Sequence, residues 1–139
     1  MQVKINTNAK EIAKRIKKKG KELSASVKNA LSITALAGVD IIEDRTSKGV
    51  GYKGSFKPYS ETYAAFRSSN GRGSIPDLQF TGQMLGSMTT KANSKQAEIF
   101  FSRAAESKKA AMNDKKRPFF AFNSSEEKKL GKIFFKALK

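Results

Sequence analysis

Apolar residues along this chain recur in blocks, and each change of period marks an element. Residues 1–6 alternate as a short edge strand would. Thr7 or Asn8 then stands where an N-cap belongs, and Glu11, three residues beyond Asn8, completes a capping-box pattern. From about residue 8 to 45 the pattern is helical: Ile12, Ile16, Leu23, Val27, Ala30 and Leu31 recur at three- and four-residue steps and fall on one face. Lys10, Lys14, Lys17, Lys21 and Lys28 fall opposite, as a lysine ridge. Past Ala30 the stripe dissolves, and Ile33, Leu36, Val39, Ile41 and Ile42 point all round the helix. A helix that is apolar all round is covered on all sides. One small domain with a single dominant helix lacks the material for that, so Ile33, Leu36, Val39 and Ile42 are a candidate subunit interface.

The remainder reads as shorter elements. Residues 46–58, TSKGVGYKGSFKP, form a Gly- and Lys-rich loop, and residues 69–77 a second loop rich in turn formers. Both lack anything obvious to pack on and are expected to be mobile until assembly orders them. Between them Ser60 caps a short helix near 61–68, with Tyr63 and Phe66 as core anchors. Thr81 caps a turn carrying Met84, Leu85 and Met88. A β-hairpin is expected near 87–102, turning at Ala92-Asn93-Ser94-Lys95. Residues 103–113 look helical, Phe119, Phe120 and Phe122 suggest a last strand, and Ser124 or Ser125 caps a final helix at 125–138 with Leu130, Ile133, Phe134 and Leu138 inward. There is no internal repeat and no linker, so 1–139 reads as one domain.

Composition narrows the function. The 139 residues include 28 Lys plus Arg against 12 Asp plus Glu, a net charge of +16, with no Cys, His or Trp. Without Cys or His there is no zinc finger, haem ligation, disulfide, Cys or Ser–His nucleophile, or imidazole acid–base chemistry. MQVKINTNAK has no apolar stretch resembling a signal peptide, and no segment approaches the roughly 18 consecutive apolar residues of a membrane span. The expectation is a soluble, basic, intracellular domain with no membrane partner. A charge excess this large repels itself unless a polyanion or an acidic neighbour takes it up. Lys outnumbers Arg 22 to 6, which favours point-charge contacts over bidentate base reading.

Candidate chemistry is sparse. Gly49, Gly51 and Gly54 spell G-x-G-x-x-G, but a helix precedes them and Phe56-Lys57-Pro58 follows, where dinucleotide binding needs a strand before and a helix after. Asp40, Glu43 and Asp44 are the tightest carboxylate group; Asp40 and Asp44 share a helix face and would suit a divalent cation or, more simply, pairing with Arg45 or loop lysines or contact with a neighbouring basic subunit. Seven of the twelve acids read as single, scattered surface positions. Tyr52, Tyr59 and Tyr63 read as packing anchors. No catalytic residue, metal or cofactor is assigned, and the chain is not expected to be an enzyme. Candidate contacts to a polyanion or acidic partner are Lys10, Lys14, Lys17, Lys18, Lys21 and Lys28, with a second basic knot at Lys115, Lys116 and Arg117. Stacking on single strands would need aromatics among these lysines, and residues 7–51 contain none.

Three segments then recur in an order that resembles a known family: Phe56-Lys57-Pro58-Tyr59-Ser60 with Tyr63; Leu78 with Thr81-Gly82-Gln83-Met84-Leu85; and Arg117-Pro118-Phe119-Phe120. Together with the long helix before them and the last helix after them, over about residues 9–138, they resemble the virion-morphogenesis, tail-completion or neck proteins of tailed bacteriophages and prophages. The resemblance implies an α+β fold, a long N-terminal helix packed on a small antiparallel sheet with shorter helices, in a ring-forming subunit. It implies a structural role in the virion, at the neck or upper tail. There the protein completes the tail or joins head to tail and forms part of the DNA channel, after assembly in the host cytoplasm. The implied partners are further copies in a homo-oligomeric ring, neighbouring neck, connector or tail-tube proteins, and non-specific contact with genomic DNA. The alternative from charge alone is a basic, non-sequence-specific DNA-binding protein.

Overall fold

The computed structural model describes residues 2–5 and 21–138. Among the described residues the elements run β1 (Gln2–Ile5), α1 (Lys21–Ser47), β2 (Val50–Gly51), β3 (Gly54–Ser55), α2 (Glu61–Ser69), α3 (Gln83–Gly86), β4 (Met88–Ala92), β5 (Ala97–Phe101), α4 (Ala104–Lys116) and α5 (Ser124–Ala137). The architecture is α+β. A long helix lies across a small antiparallel sheet, and shorter helices flank them. The stretch of the expected helix before residue 21, with its N-cap at Thr7 or Asn8, lies outside the described residues.

The sheet has the order β1-β5-β4. Ile99 at its centre faces Val3 on one side and Thr90 on the other. The β4–β5 turn comprises residues 93–96, one step later than the sequence suggests. Asn93 decides this: its Oδ1 accepts from the Lys95 and Gln96 amides at 2.8 and 2.9 Å, an Asx turn. β5 is the most buried strand, and its Glu98 is 7 % exposed. That carboxylate is paired with Lys91 at 3.2 Å and accepts from the side chains of Gln2 and Gln96. Glu98 and Glu106 are buried, which corrects the reading of the lesser acids as scattered surface groups.

Helix α1 covers the sheet with Val27, Ala30, Leu31, Thr34, Ala35 and Ile42, all within 1 % of full burial. Leu23–Ser47 also has the length and mean hydropathy of a membrane crossing, but here its apolar side is the core helix of the fold. Ile42, expected at a subunit interface, is wholly buried inside the monomer, and Val39 packs against the same core. The all-round pattern has two sources. Part of the apolar surface meets the sheet and α5, and Ile33 and Leu36 stay exposed at 42 % and 57 %.

Two expected loops are built structures. In 46–58, β2 and β3 form a small ribbon with Gly51 opposite Gly54. Phe56 drops into the core, and its amide donates to the Gly49 carbonyl at 2.8 Å. A Cβ on Gly51 would lie 1.9 Å from the Pro118 carbonyl oxygen and 2.5 Å from the Phe56 ring. The glycine is there for close approach between two backbones, not for a phosphate. Gly51→Ala is expected to lower unfolding free energy by about 1–3 kcal/mol, the usual cost of overpacking, read from the midpoint of urea denaturation. Exposed Gly73 has open space around its Cβ position, and Gly73→Ala should leave that midpoint nearly unchanged.

Residues 118–122 are not a strand. Phe119 and Phe120 are consecutive and both buried, at 0 % and 4 %, whereas a strand would turn one of them outward. Side chains replace the ladder. Asp114 Oδ1 accepts from both the Phe119 and Phe120 amides at 3.0 Å, and buried Arg45 donates to the carbonyls of Phe119 and Ala121. Arg45 also pairs with Glu126 at 2.8 Å. Glu126 belongs to the cap of α5, which is set at Asn123 rather than at either serine. Asn123 Oδ1 accepts from the Glu126 amide (2.8 Å), and Glu126 Oε1 accepts from the Asn123 amide (3.0 Å). From there α5 buries Leu130 and Phe134.

Candidate functional site

The 69–77 segment owes its shape to one residue. Arg67, on α2, is 1 % exposed. Its Nε donates to the Gly73 carbonyl (2.9 Å), Nη1 to the Gln79 carbonyl (2.9 Å) and Nη2 to Asp77 Oδ1 (3.0 Å). Asp77 Oδ1 also takes the Gln79 amide at 2.9 Å. The segment therefore wraps a guanidinium, which is the packing partner that the sequence pattern lacked. Next along the chain, Leu78 sits at φ 57°, a left-handed conformation rare for a branched side chain. Its amide donates to the Tyr59 hydroxyl at 3.0 Å.

Tyr59 joins this loop to the basic knot. Its ring lies between two guanidinium groups, Arg67 at 4.9 Å and Arg117 at 4.6 Å from the centroid. Arg117 in turn donates to the carbonyls of Lys57 (2.8 Å) and Pro58 (3.0 Å). Burial pushes the Tyr59 hydroxyl pKa up, against the opposing pulls of the Leu78 amide and Arg67. From Tyr59 a series of rings runs along α2: Tyr63 edge-on at 4.8 Å, then Phe66 stacked at 6.1 Å from Tyr63, then Phe80 stacked at 5.6 Å from Phe66. Tyr63 is 37 % and Phe66 51 % exposed. Both were expected in the core; the buried side chain of α2 is Arg67, and the rings form an outer surface above it.

Beside these rings lies an open groove of about 790 Å³. Its lining comprises Tyr59, Ser60 and Tyr63, the stretch from Leu78 to Gly82 with Met84, and Glu106, Lys109, Met112 and Asn113 of α4, together with Lys115, Lys116 and Arg117. The Met112 side chain is 70 % exposed. Lys109 pairs with Glu106 Oε1 at 3.2 Å, while Glu106 Oε2 is buried with no hydrogen-bond partner among the described residues. The groove therefore mixes aromatic and cationic groups, with Arg117 stacked on Tyr59.

Of the nine basic candidates, the structure brings Lys115, Lys116 and Arg117 to this groove. Lys10, Lys14, Lys17 and Lys18 lie outside the described residues, as does the side chain of Lys21. Lys28 is exposed on α1 and does not line the groove. Arg67, Phe80, Glu106 and Lys109 were not singled out by sequence reasoning. The turn-forming residues after Arg67 were the available signal, since such a segment needs a donor for its carbonyls.

The acidic group lies next door. Asp40, Glu43, Asp44 and Ser47 border a shallow depression that shares Gln79 and Gly82 with the groove. Asp44 pairs with Lys48 at 3.2 Å. Burial and then the neighbouring Asp40 raise the Glu43 pKa. Among the described residues, no group of three or more acidic side chains is arranged to hold a metal ion.

No protein-family model, curated protein or solved structure matches the chain.

Proposed function

We propose that the chain is a structural virion protein of a tailed phage or prophage, a ring subunit that completes the tail or joins head and tail at the neck and borders the DNA channel. One observation carries the reading. The three segments on which the resemblance rests are separated along the chain, yet they meet at one groove. Tyr59, Ser60 and Tyr63 come from the first, Leu78, Thr81, Gly82 and Met84 from the second, and Arg117 from the third. Buried arginines hold the same segments in place, Arg67 under the loop and Arg45 behind Phe119. Motifs that build one exposed surface on a rigid base suit recognition better than catalysis. The α+β architecture agrees with the fold the resemblance implies.

The test is assembly. Mixed with the connector and tail-tube proteins of a tailed phage that carries it, the purified chain is expected to join a closed ring, seen by light scattering and negative-stain microscopy. A chain that stays monomeric in their presence would falsify the proposal.

A second reading has its own support. The outward faces of α4 and α5 carry exposed Lys108, Lys128, Lys129, Lys132 and Lys136, a surface suited to non-specific DNA contact. On that reading affinity for duplex DNA falls steeply with salt. Replacing Lys128, Lys129 and Lys132 by alanine flattens the slope for every DNA sequence alike.

A further inference from the structure

The fold leaves two incomplete surfaces. The first is the groove. The second is the outward face of α1, where Asn29, Ile33, Leu36, Asp40, Asp44 and Ser47 are exposed at alternating three- and four-residue steps and Glu43 is half-buried. Between Asn29 and Ser47 this face carries no exposed cation, on a chain of net charge +16; Lys48, just beyond, pairs with Asp44 and leaves Asp40 and Glu43 as the acids without that counter-ion. It is apolar at Ile33 and Leu36 and acidic from Asp40 onward.

We infer that this apolar–acidic face of α1 in one copy docks into the basic, aromatic groove of the next copy, in head-to-tail order. The inference rests on the ring-subunit reading and names the surfaces that make the contact. Each face offers what the other lacks. Asp40, Glu43 and Asp44 meet the exposed cations Lys115 and Lys116, while Ile33 and Leu36 meet the exposed Tyr63 and Met112. Anchors at i, i+3 and i+7 on a helix are the pattern by which a helix occupies a groove. Glu106 lines the same groove, but it is 4 % exposed and paired with Lys109, so the charge offered to an occupant is that of Lys115, Lys116 and Arg117. Within one copy the acidic end of α1 adjoins the groove at Gln79 and Gly82; in head-to-tail order the two faces take different neighbours, so each copy keeps one face free after docking. Such contacts continue until the rotation closes a ring.

The experiment uses the full chain and two variants, both altered only at exposed positions: Asp40→Lys with Asp44→Lys, and Lys115→Glu with Lys116→Glu. Mass is read by light scattering at low salt. The unaltered chain is expected to run well above one copy and each variant as one copy. An equimolar mixture of the two variants should again run well above one copy, because the unaltered helix face of one meets the unaltered groove of the other, and the lysine face meets the glutamate groove. A chain carrying all four substitutions should regain self-association, a rescue that a misfolded protein cannot give.

The inference is overturned if either variant keeps the mass of the unaltered chain, if the mixture forms no pair, or if the unaltered chain stops at two copies. An unaltered chain that runs as a single copy also overturns it. The ring reading then stands or falls separately, on assembly with the connector and tail-tube proteins. A poly-dT oligonucleotide supplies the last arm. Binding that is lost in the Lys115→Glu, Lys116→Glu variant, with mass unchanged between that variant and the unaltered chain, gives the groove to nucleic acid instead.

Discussion

Arg67→Met is expected to lower the unfolding free energy by about 3–5 kcal/mol, the usual loss when one member of a buried charged network is removed. Methionine fills much of the volume, so the loss comes from the partners left behind. The Gly73 and Gln79 carbonyls lose their donors, and Asp77 loses its counter-ion. For a chain of this length the melting temperature should fall by about 10–20 °C. Arg67→Lys should recover little, because one ammonium cannot reach two carbonyls and a carboxylate in the fork geometry that guanidinium supplies. The groove should fail with the loop, since Leu78 and Gln79 belong to its lining. Phe66→Ala, one residue away but half exposed, should cost under about 1 kcal/mol. Thermal melts by circular dichroism separate the three, and equal losses at Arg67 and Phe66 would contradict the hub assigned to Arg67.

The second large effect is expected at Phe119→Ala, with a loss of about 3–5 kcal/mol. Its ring is fully buried against Phe101 (6.5 Å between centroids) and Phe120 (5.8 Å), and Phe120 lies 4.8 Å from Phe101. Removing the middle of this cluster leaves a cavity that the rigid surroundings cannot close, because Arg45 and Asp114 pin the backbone on both sides. Phe120→Ala should be comparably severe. The pair of results discriminates between conformations: an extended strand would make one phenylalanine costly and its neighbour mild. Chevron or equilibrium denaturation curves provide the numbers, and a mild Phe119 would contradict the side-chain-bonded loop.

What could be read from the residues was whatever announces itself by period. α5, the β4–β5 hairpin and the inward stripe Val27, Ala30 and Leu31 of α1 all follow from spacing, because burial there is decided by local repetition. The reading failed where polar side chains replace backbone pairing. Phe119 to Phe122 look like strand alternation until Asp114 takes two amides and Arg45 takes two carbonyls. Those partners lie five to 76 residues away in sequence, and no local window contains them. Tyr63 and Phe66 were assigned inward because hydropathy ranks aromatics above arginine; the carbonyl-rich turn beyond Arg67 reversed the order. Ser124 and Ser125 are both acceptable caps by type, and Ser124 even has Glu127 three residues on; Asn123 displaced them because its own box partner, Glu126, is held by the distant Arg45. For the groove, the segments were legible one at a time, but their convergence was a property of the fold.

The sheet order sets a timetable for folding. Among the described residues β1 pairs only with β5, and the Gln2–Glu98 contact joins residues 96 apart in sequence. The earliest of these strands in sequence is therefore the last to find its place. α1 and the β4–β5 hairpin can form from near neighbours, whereas closing the sheet must bring together ends separated by most of the chain, at an entropic cost that grows with the logarithm of that distance. Until then β5 has one open edge.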